Sequence, residues 1–251
     1  MLSALIISLV VCFIANVPIG FSLGIASLAS LIASGSMPIV LIPQRMVAGA
    51  NSFPLLAIPF FMLAGAIMER GGVSKRIVSL ASTLVGHITG GLAAVSIVAC
   101  TFFAAISGST PATAAAVGSL TIPEMEKRGY DKSYASAVVA AAACLGVIIP
   151  PSITMVVFGT VANVSVGQLL IGGIIPGIFL SLLLLGMNRI QSKKQGYPTE
   201  EKKSWTDRKT SFVEAIWGLL MPVIILGGIM TGIFTPTESA AIAVVYGLFV
   251  S

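Results

Sequence analysis

Ser107-Gly-Ser-Thr-Pro-Ala-Thr113 places hydroxyls, a glycine and a proline inside a stretch, Ile77–Pro123, that contains no Asp, Glu, Lys or Arg. An uncharged run of this length reads as membrane-embedded. In hydrocarbon a broken helix must be shielded by protein or must line a polar cavity. Ser, Thr and Gly at such a break expose hydroxyls, carbonyls and amides, the groups with which carriers hold a small ion or anion. The stretch therefore predicts an all-helical membrane protein with a solute site at a helical interruption.

The rest of the chain supports the membrane reading. Its 251 residues are only 9% charged, and the mean hydropathy is +1.02, values of an integral membrane protein. The first charge is Arg45, and Ser133–Asn188, Ala215–Thr237 and Ser239–Ser251 are also free of Asp, Glu, Lys and Arg. A helical crossing needs about 20 apolar residues. Candidate spans are Leu2–Ala33, with a break at Asn16-Val-Pro18, then Pro54–Met68, Leu92–Ile106, Ser133–Phe158, Gln168–Met187 and Phe212–Ile233, followed by a last helix from Pro236. Ser34–Phe53, Glu69–Ser79, Glu124–Lys132 and Arg189–Ser211 read as polar connections.

The net charge of +5 does not signal nucleic acid, because seven of the fourteen basic residues lie in Arg189–Lys209, mixed with Glu200, Glu201 and Asp207. That stretch reads as a cytoplasmic loop under the positive-inside rule. Cys12, Cys100 and Cys144 lack ligand-like spacing and read as small packing residues. No Ser/His/Asp set is read, because the single histidine, His87, lies between glycines beside a basic loop, and no phosphate-cradling Gly-rich loop ending in Lys-Ser/Thr is present. A membrane-embedded enzyme is disfavoured, since intramembrane acids and bases are nearly absent.

Loop parity bears on the interruption. If Leu92–Ile122 crossed once, the basic loops before and after it would lie on opposite sides. If it is a re-entrant hairpin with its tip at 107–113, both face the side of Arg189–Lys209, as the positive-inside rule prefers. The tip has the chemistry for an alkali cation or an organic anion: neutral oxygens replace a hydration shell, and a helix start at Thr110-Pro111, Thr as cap and Pro first in the helix, points amides at an anion. The alternative is a turn packed closely through small residues. Gly146-Val-Ile-Ile-Pro-Pro-Ser152 is a second break, in which Pro150 and Pro151 leave carbonyls near Gly146 and Val147 without their helical donors. Those carbonyls are met either by a cation or by neighbouring helices. Thr235-Pro-Thr-Glu238 reads as a capping box, the alternative being that Glu238, an acid flanked by apolar sequence, has a functional task. Gly173…Gly177 is a Gly-x-x-x-Gly pair suited to close helix contact.

At Leu56-Ala-Ile-Pro-Phe-Phe-Met-Leu-Ala-Gly65, Gly71-Gly-Val-Ser-Lys-Arg-Ile77, Ser107–Thr113, Leu145-Gly-Val-Ile-Ile-Pro-Pro-Ser152 and Thr235-Pro-Thr-Glu-Ser-Ala-Ala241 the chain resembles the large membrane subunit of TRAP (tripartite ATP-independent periplasmic) transporters. The resemblance implies an elevator-type ion-transporter-like fold of two inverted repeats, each with a re-entrant hairpin and a broken helix. It implies a permease of the bacterial inner membrane that imports an organic acid (C4-dicarboxylate, sialic acid or sugar acid) with Na+ as coupling ion. A periplasmic solute-binding protein would deliver the substrate, and a small membrane subunit would help hold the scaffold. By likeness, Ser107, Gly108, Ser109, Thr110, Gly146, Pro150 and Ser152 bind sodium, and Ser109, Thr110, Thr113 and Pro151 line the substrate pocket. The family's large subunit is longer, so this chain is expected to be its N-terminal half: residues 1–188 as the transmembrane region with both breaks, 189–211 as the basic cytoplasmic loop, and 212–251 leading toward a second repeat. The rival reading is a channel-like or structural membrane subunit whose breaks serve packing only.

Overall fold

The computed structural model describes residues 2–35, 38–199 and 201–251. Glu200, assigned above to the basic loop, and two residues of the Ser34–Phe53 connection, Ser36 and Met37, lie outside the described residues. All regular structure among the described residues is helical. It falls into two compact units, one ending at Ser52 and one running Phe53–Ser251.

The first unit holds α1 (Leu2–Ile14), α2 (Ile19–Ser34) and α3 (Leu41–Ala50). The expected break between α1 and α2 is present, with Asn16 at φ +57 and Pro18 at the helix start. The reading of Ser34–Phe53 as a plain connection is corrected, because α3 lies within it. Its Pro43 falls in the first turn, where a missing N–H removes no bond from the helix.

In the second unit a 3-10 turn, Phe53–Leu56, leads into α4 (Ala57–Arg70), and a Gly71-Gly72 turn into α5 (Val73–Val85). The polar reading of Glu69–Ser79 is therefore also corrected. Val73, Ile77, Leu80 and Ala81 are all buried and form one stripe at helical spacing. Next come α6 (Gly91–Ser107), α7 (Thr110–Lys127), α8 (Lys132–Ala143), the single turn α9 (Leu145–Ile148), α10 (Ile153–Ala162), α11 (Val166–Gln195), α12 (Trp205–Met230) and α13 (Pro236–Val250).

Phe53–Arg70, α11 and α12 are each long and apolar enough to cross a membrane, and α8–α9 with α10 forms a further candidate bent by 42°. The expected loop Arg189–Ser211 is shorter, since α11 runs on to Gln195 and α12 begins at Trp205, and its described non-helical residues are 196–199 and 201–204. Lys, Arg and Gln are good helix formers. Gly196, at φ +70, stops α11, and a Ser204/Asp207 capping box starts α12.

The packing centre is α6, with thirteen of its seventeen residues buried. A helix apolar on every side belongs inside, and here Val95, Cys100, Phe103 and Ile106 share a cluster with Phe61, Met68, Ile77, Val156 and Met221. Cys12 and Cys100 are buried as expected, whereas Cys144 is exposed at the bend between α8 and α9.

The Thr235 capping box forms as read: Glu238 Oε2 accepts from Thr235 N–H at 2.8 Å, and Thr235 Oγ1 accepts from Glu238 N–H at 3.3 Å. Thr235→Ala is expected to cost about 1 kcal/mol, read as a lower unfolding midpoint of the purified chain in detergent.

Candidate functional site

Helices α6 and α7 form an antiparallel hairpin. Ser96 Oγ meets Met125 Sδ at 3.5 Å toward its open end, and Ser107 Oγ meets Thr113 Oγ1 at 2.8 Å next to the tip. Only Gly108 and Ser109 lie outside the two helices. Gly108 ends α6 in the left-handed region, φ +61, with its N–H on the Ala104 carbonyl at 3.0 Å.

The helix start sits one residue earlier than the sequence predicts. Ser109, extended at φ −138, occupies the cap position, and its carbonyl accepts the first intrahelical bond, from Thr113 N–H at 3.0 Å. Thr110 and Pro111 are thus the first two helical residues. Pro111 has no N–H, so the free donors of this turn are the amides of Thr110 and Ala112. The expected Thr110 cap is corrected for a local reason: extended backbone at Ser109, not Thr110, is what lets the chain leave the glycine turn.

At the second break α9 ends at Ile148, residues 149–152 are non-helical, and α10 restarts. The Pro150–Pro151 peptide is cis. Pro151 stands where the Val147 carbonyl would find its helical donor, and Ser152 supplies one instead: its hydroxyl donates to Val147 O at 2.6 Å. The same oxygen accepts from Met155 N–H at 3.3 Å and so caps α10. One of the two freed carbonyls is thereby met within the chain.

The two breaks, some 40 residues apart in sequence, touch. Ile153 N–H donates to Gly108 O at 3.2 Å. A Cβ at Gly108 would lie 2.4 Å from Pro151 O, and one at Gly146 would lie 3.0 Å from the Ser109 carbonyl carbon. Ser107, Gly108, Ser109, Thr110, Gly146, Pro150, Pro151 and Ser152 are thus gathered at one locus, with Thr113 bonded to Ser107 just behind it.

Their hydroxyls differ in state. Those of Ser107, Thr113 and Ser152 are buried and bonded within the protein. Thr110 Oγ1 is shielded from solvent and has no hydrogen-bond partner among the described residues. Among those residues no group of three or more His, Cys, Asp or Glu is assembled, so the donors at the breaks are neutral oxygens and amides.

Residues to which the sequence reading gave no site role complete the setting. Gly65 of α4 lets the Ser107 backbone approach, 3.3 Å from where its Cβ would be. Gly173 and Gly177, read as a close-contact pair, face the second break, where a Cβ would strike Ile148 O or the Ile149 side chain. At the far end of the hairpin, Tyr134 Oη donates to Asn188 Oδ1 at 2.8 Å and Asn188 Nδ2 donates to Gly90 O at 3.3 Å. Tyr130 stacks on Tyr197 at 4.2 Å between ring centres. The one signal for this clasp was a polar Asn188 near the end of an apolar run.

Compared with known proteins, residues 6–251 match the family described as the tripartite ATP-independent periplasmic transporter, DctM component. The chain is 48% identical over 238 residues to the isethionate TRAP transporter permease protein DctMQ of Oleidesulfovibrio alaskensis, covering 94% of this chain and 38% of that protein. It is 46% identical over 239 residues to the C4-dicarboxylate TRAP transporter large permease protein DctM of Vibrio cholerae, covering 95% and 53%. It is 40% identical over 247 residues to the sialic acid TRAP transporter permease protein SiaT of Haemophilus influenzae, covering 98% and 40%. The chain spans about half the length of these curated relatives, or somewhat less.

Proposed function

We propose, on the premise that this chain belongs to the DctM family of TRAP transporter large permeases, that it carries one half of the site at which a sodium-coupled carrier binds an organic anion. The family is one of bacterial membrane transport permeases, not of enzymes. The relatives are named for isethionate, C4-dicarboxylates and sialic acid, all organic anions at neutral pH, and the substrate class here is the same. Delivery by a periplasmic binding protein, partnership with a small membrane subunit and residence in the inner membrane complete the reading.

The observation that carries it is the meeting of the two breaks beside a shielded hydroxyl, that of Thr110, which has no partner among the described residues. A buried polar group left unpaired costs stability, and a cation bound there would use it. The assignment gives Na+ to oxygens of Ser107–Thr110 and of Gly146–Ser152, and gives the substrate anion to Ser109, the Thr110 and Ala112 amides, Thr113 and the edge at Pro151. Na+, as coupling ion, orders the tip, and the amides then meet the anion at a positive helix end. By linkage the substrate tightens sodium by the factor that sodium tightens substrate.

The hairpin is read as re-entrant. In support, neither α6 nor α7 is long and apolar enough to cross alone, and the basic ends of neighbouring helices fall on one side only with this topology. Alternating access would follow from a rigid-body shift of this unit against a scaffold, with a second inverted repeat supplying the other half-site. The competing reading, a structural subunit, draws on the internal pairing of Ser107, Thr113 and Ser152.

Thr110→Val and Ser109→Ala in the reconstituted full-length complex separate the two. A ligating Thr110 hydroxyl predicts that Val leaves sodium-free stability unchanged or slightly higher and raises the half-saturating sodium concentration about tenfold, the equivalent of one lost ligand at ~1.4 kcal/mol. Uptake with unaltered sodium dependence in both variants removes these side chains from the site.

A further inference from the structure

The first two turns of α12 place Trp205, Arg208, Lys209 and Phe212 on one face, at the i, i+3, i+4 and i+7 spacing of a helical stripe. That face looks across at Leu80 and Leu84 of α5, and a hydrogen bond between Ser79 and Ser211 hydroxyls, 3.3 Å, holds the two helices together. Between them runs a groove of about 510 Å³ lined by these six residues.

Its chemistry is divided. Leu84, Trp205 and Phe212 are exposed, at 41%, 78% and 49%, and make an apolar wall. Arg208 and Lys209 provide two cations, and among the described residues no carboxylate lines the groove. The nearby acids Asp207 and Glu214 face a separate polar cleft on the other side of α12, and Asp207 is engaged in capping Ser204 at 3.2 Å. Arg208 Nε is shielded from solvent and has no partner among the described residues. A guanidinium donor is a poor group to leave unpaired, and its fork fits phosphate oxygens.

We infer that this groove is a binding site for an anionic phospholipid. The headgroup phosphate engages Arg208 and Lys209 while an acyl chain lies along Leu84 and Phe212. Charge complementarity selects the occupant. Two cations with no acid lining the groove among the described residues, at the end of an apolar wall and beside a tryptophan of the kind found at membrane interfaces, match the headgroup–chain boundary of a lipid in the leaflet facing the basic connection. The site lies apart from the two breaks. It rests on the chain being a membrane protein and not on sodium coupling.

Trp205 is the reporter. With the other tryptophan replaced, Trp217→Phe, the full chain is placed in phosphatidylcholine vesicles containing a small fraction of brominated phosphatidylglycerol or, separately, of brominated phosphatidylcholine. Quenching of Trp205 is expected to be markedly stronger with the anionic lipid. Arg208→Gln and Lys209→Gln each weaken that preference about fivefold, as one basic group near an anionic surface does, and Arg208→Lys keeps part of it. Equal quenching by the two lipids overturns the inference, as does a preference that survives the double replacement. Absence of quenching by either lipid, the result if a protein segment covers the groove, overturns it as well. Uptake does not enter the readout, so the outcome is independent of the transport reading.

Discussion

Gly108→Ala is expected to abolish uptake by the full-length complex and to destabilise this chain by about 2–5 kcal/mol. Two costs add. At φ +61 an L-residue with a Cβ loses about 1–2 kcal/mol. The new methyl would also sit 2.4 Å from Pro151 O, a backbone atom that cannot rotate aside as a side chain can. Overpacking of that kind costs about 1–3 kcal/mol, and relief requires the tip to leave the second break, which breaks the Ile153–Gly108 bond at about 1 kcal/mol net.

Gly232→Ala is the control for this prediction. Gly232 has φ +71 with nothing within 4 Å of its Cβ position, so only the conformational cost applies. The comparison is made by denaturant or thermal unfolding in detergent together with uptake. A Gly108→Ala variant as mild as Gly232→Ala would show that the contact between the two breaks is unimportant.

Legibility in the sequence followed how local each feature was. The uncharged runs, the Ser107–Thr113 interruption, the double-proline break and the Thr235 box could all be read, because each depends on residues within a few positions of one another. The stripe Val73, Ile77, Leu80 and Ala81 was equally local, yet Lys75, Arg76 and Ser79 between its members made the stretch look like a loop. Pro43 and Gly49 hid α3 in the same way. Helix α11 was cut short because charge was read as the end of a helix, when it marks the end of apolar surroundings and Lys193 and Lys194 continue the helix beyond it. The contact between the two breaks had no local sign. It depends on Gly65, Gly108, Gly146 and Gly173 all lacking a Cβ at points where four chain segments converge, and one sequence shows only that those glycines exist. The state of each hydroxyl was likewise out of reach: Ser107, Ser109, Thr110, Thr113 and Ser152 look alike as letters, and only packing separates the bonded three from Thr110.

That separation makes Ser152→Ala the second large effect. Ser152 is fully buried, donates to Val147 O at 2.6 Å and accepts from Met155 N–H at 3.3 Å. No backbone donor can take over from it at Val147, because the residue in the helical donor position is Pro151. Loss of the hydroxyl leaves a buried carbonyl unpaired, at about 1–3 kcal/mol, and uncaps α10 at about 1 kcal/mol. The expected loss is therefore about 2–4 kcal/mol, read as a lower unfolding midpoint even without sodium. If sodium binds at the breaks as proposed, the half-saturating sodium concentration should rise with it, because the second break no longer holds its shape against the tip. Ser109→Ala provides the contrast, since it should shift sodium dependence while leaving the sodium-free midpoint in place. A Ser152→Ala chain with an unchanged midpoint would mean that water or a neighbouring group serves the Val147 carbonyl. Ser152 would then hold no structural post that Ser109 lacks, and the division between hydroxyls that shape the site and hydroxyls that face the solute would fail.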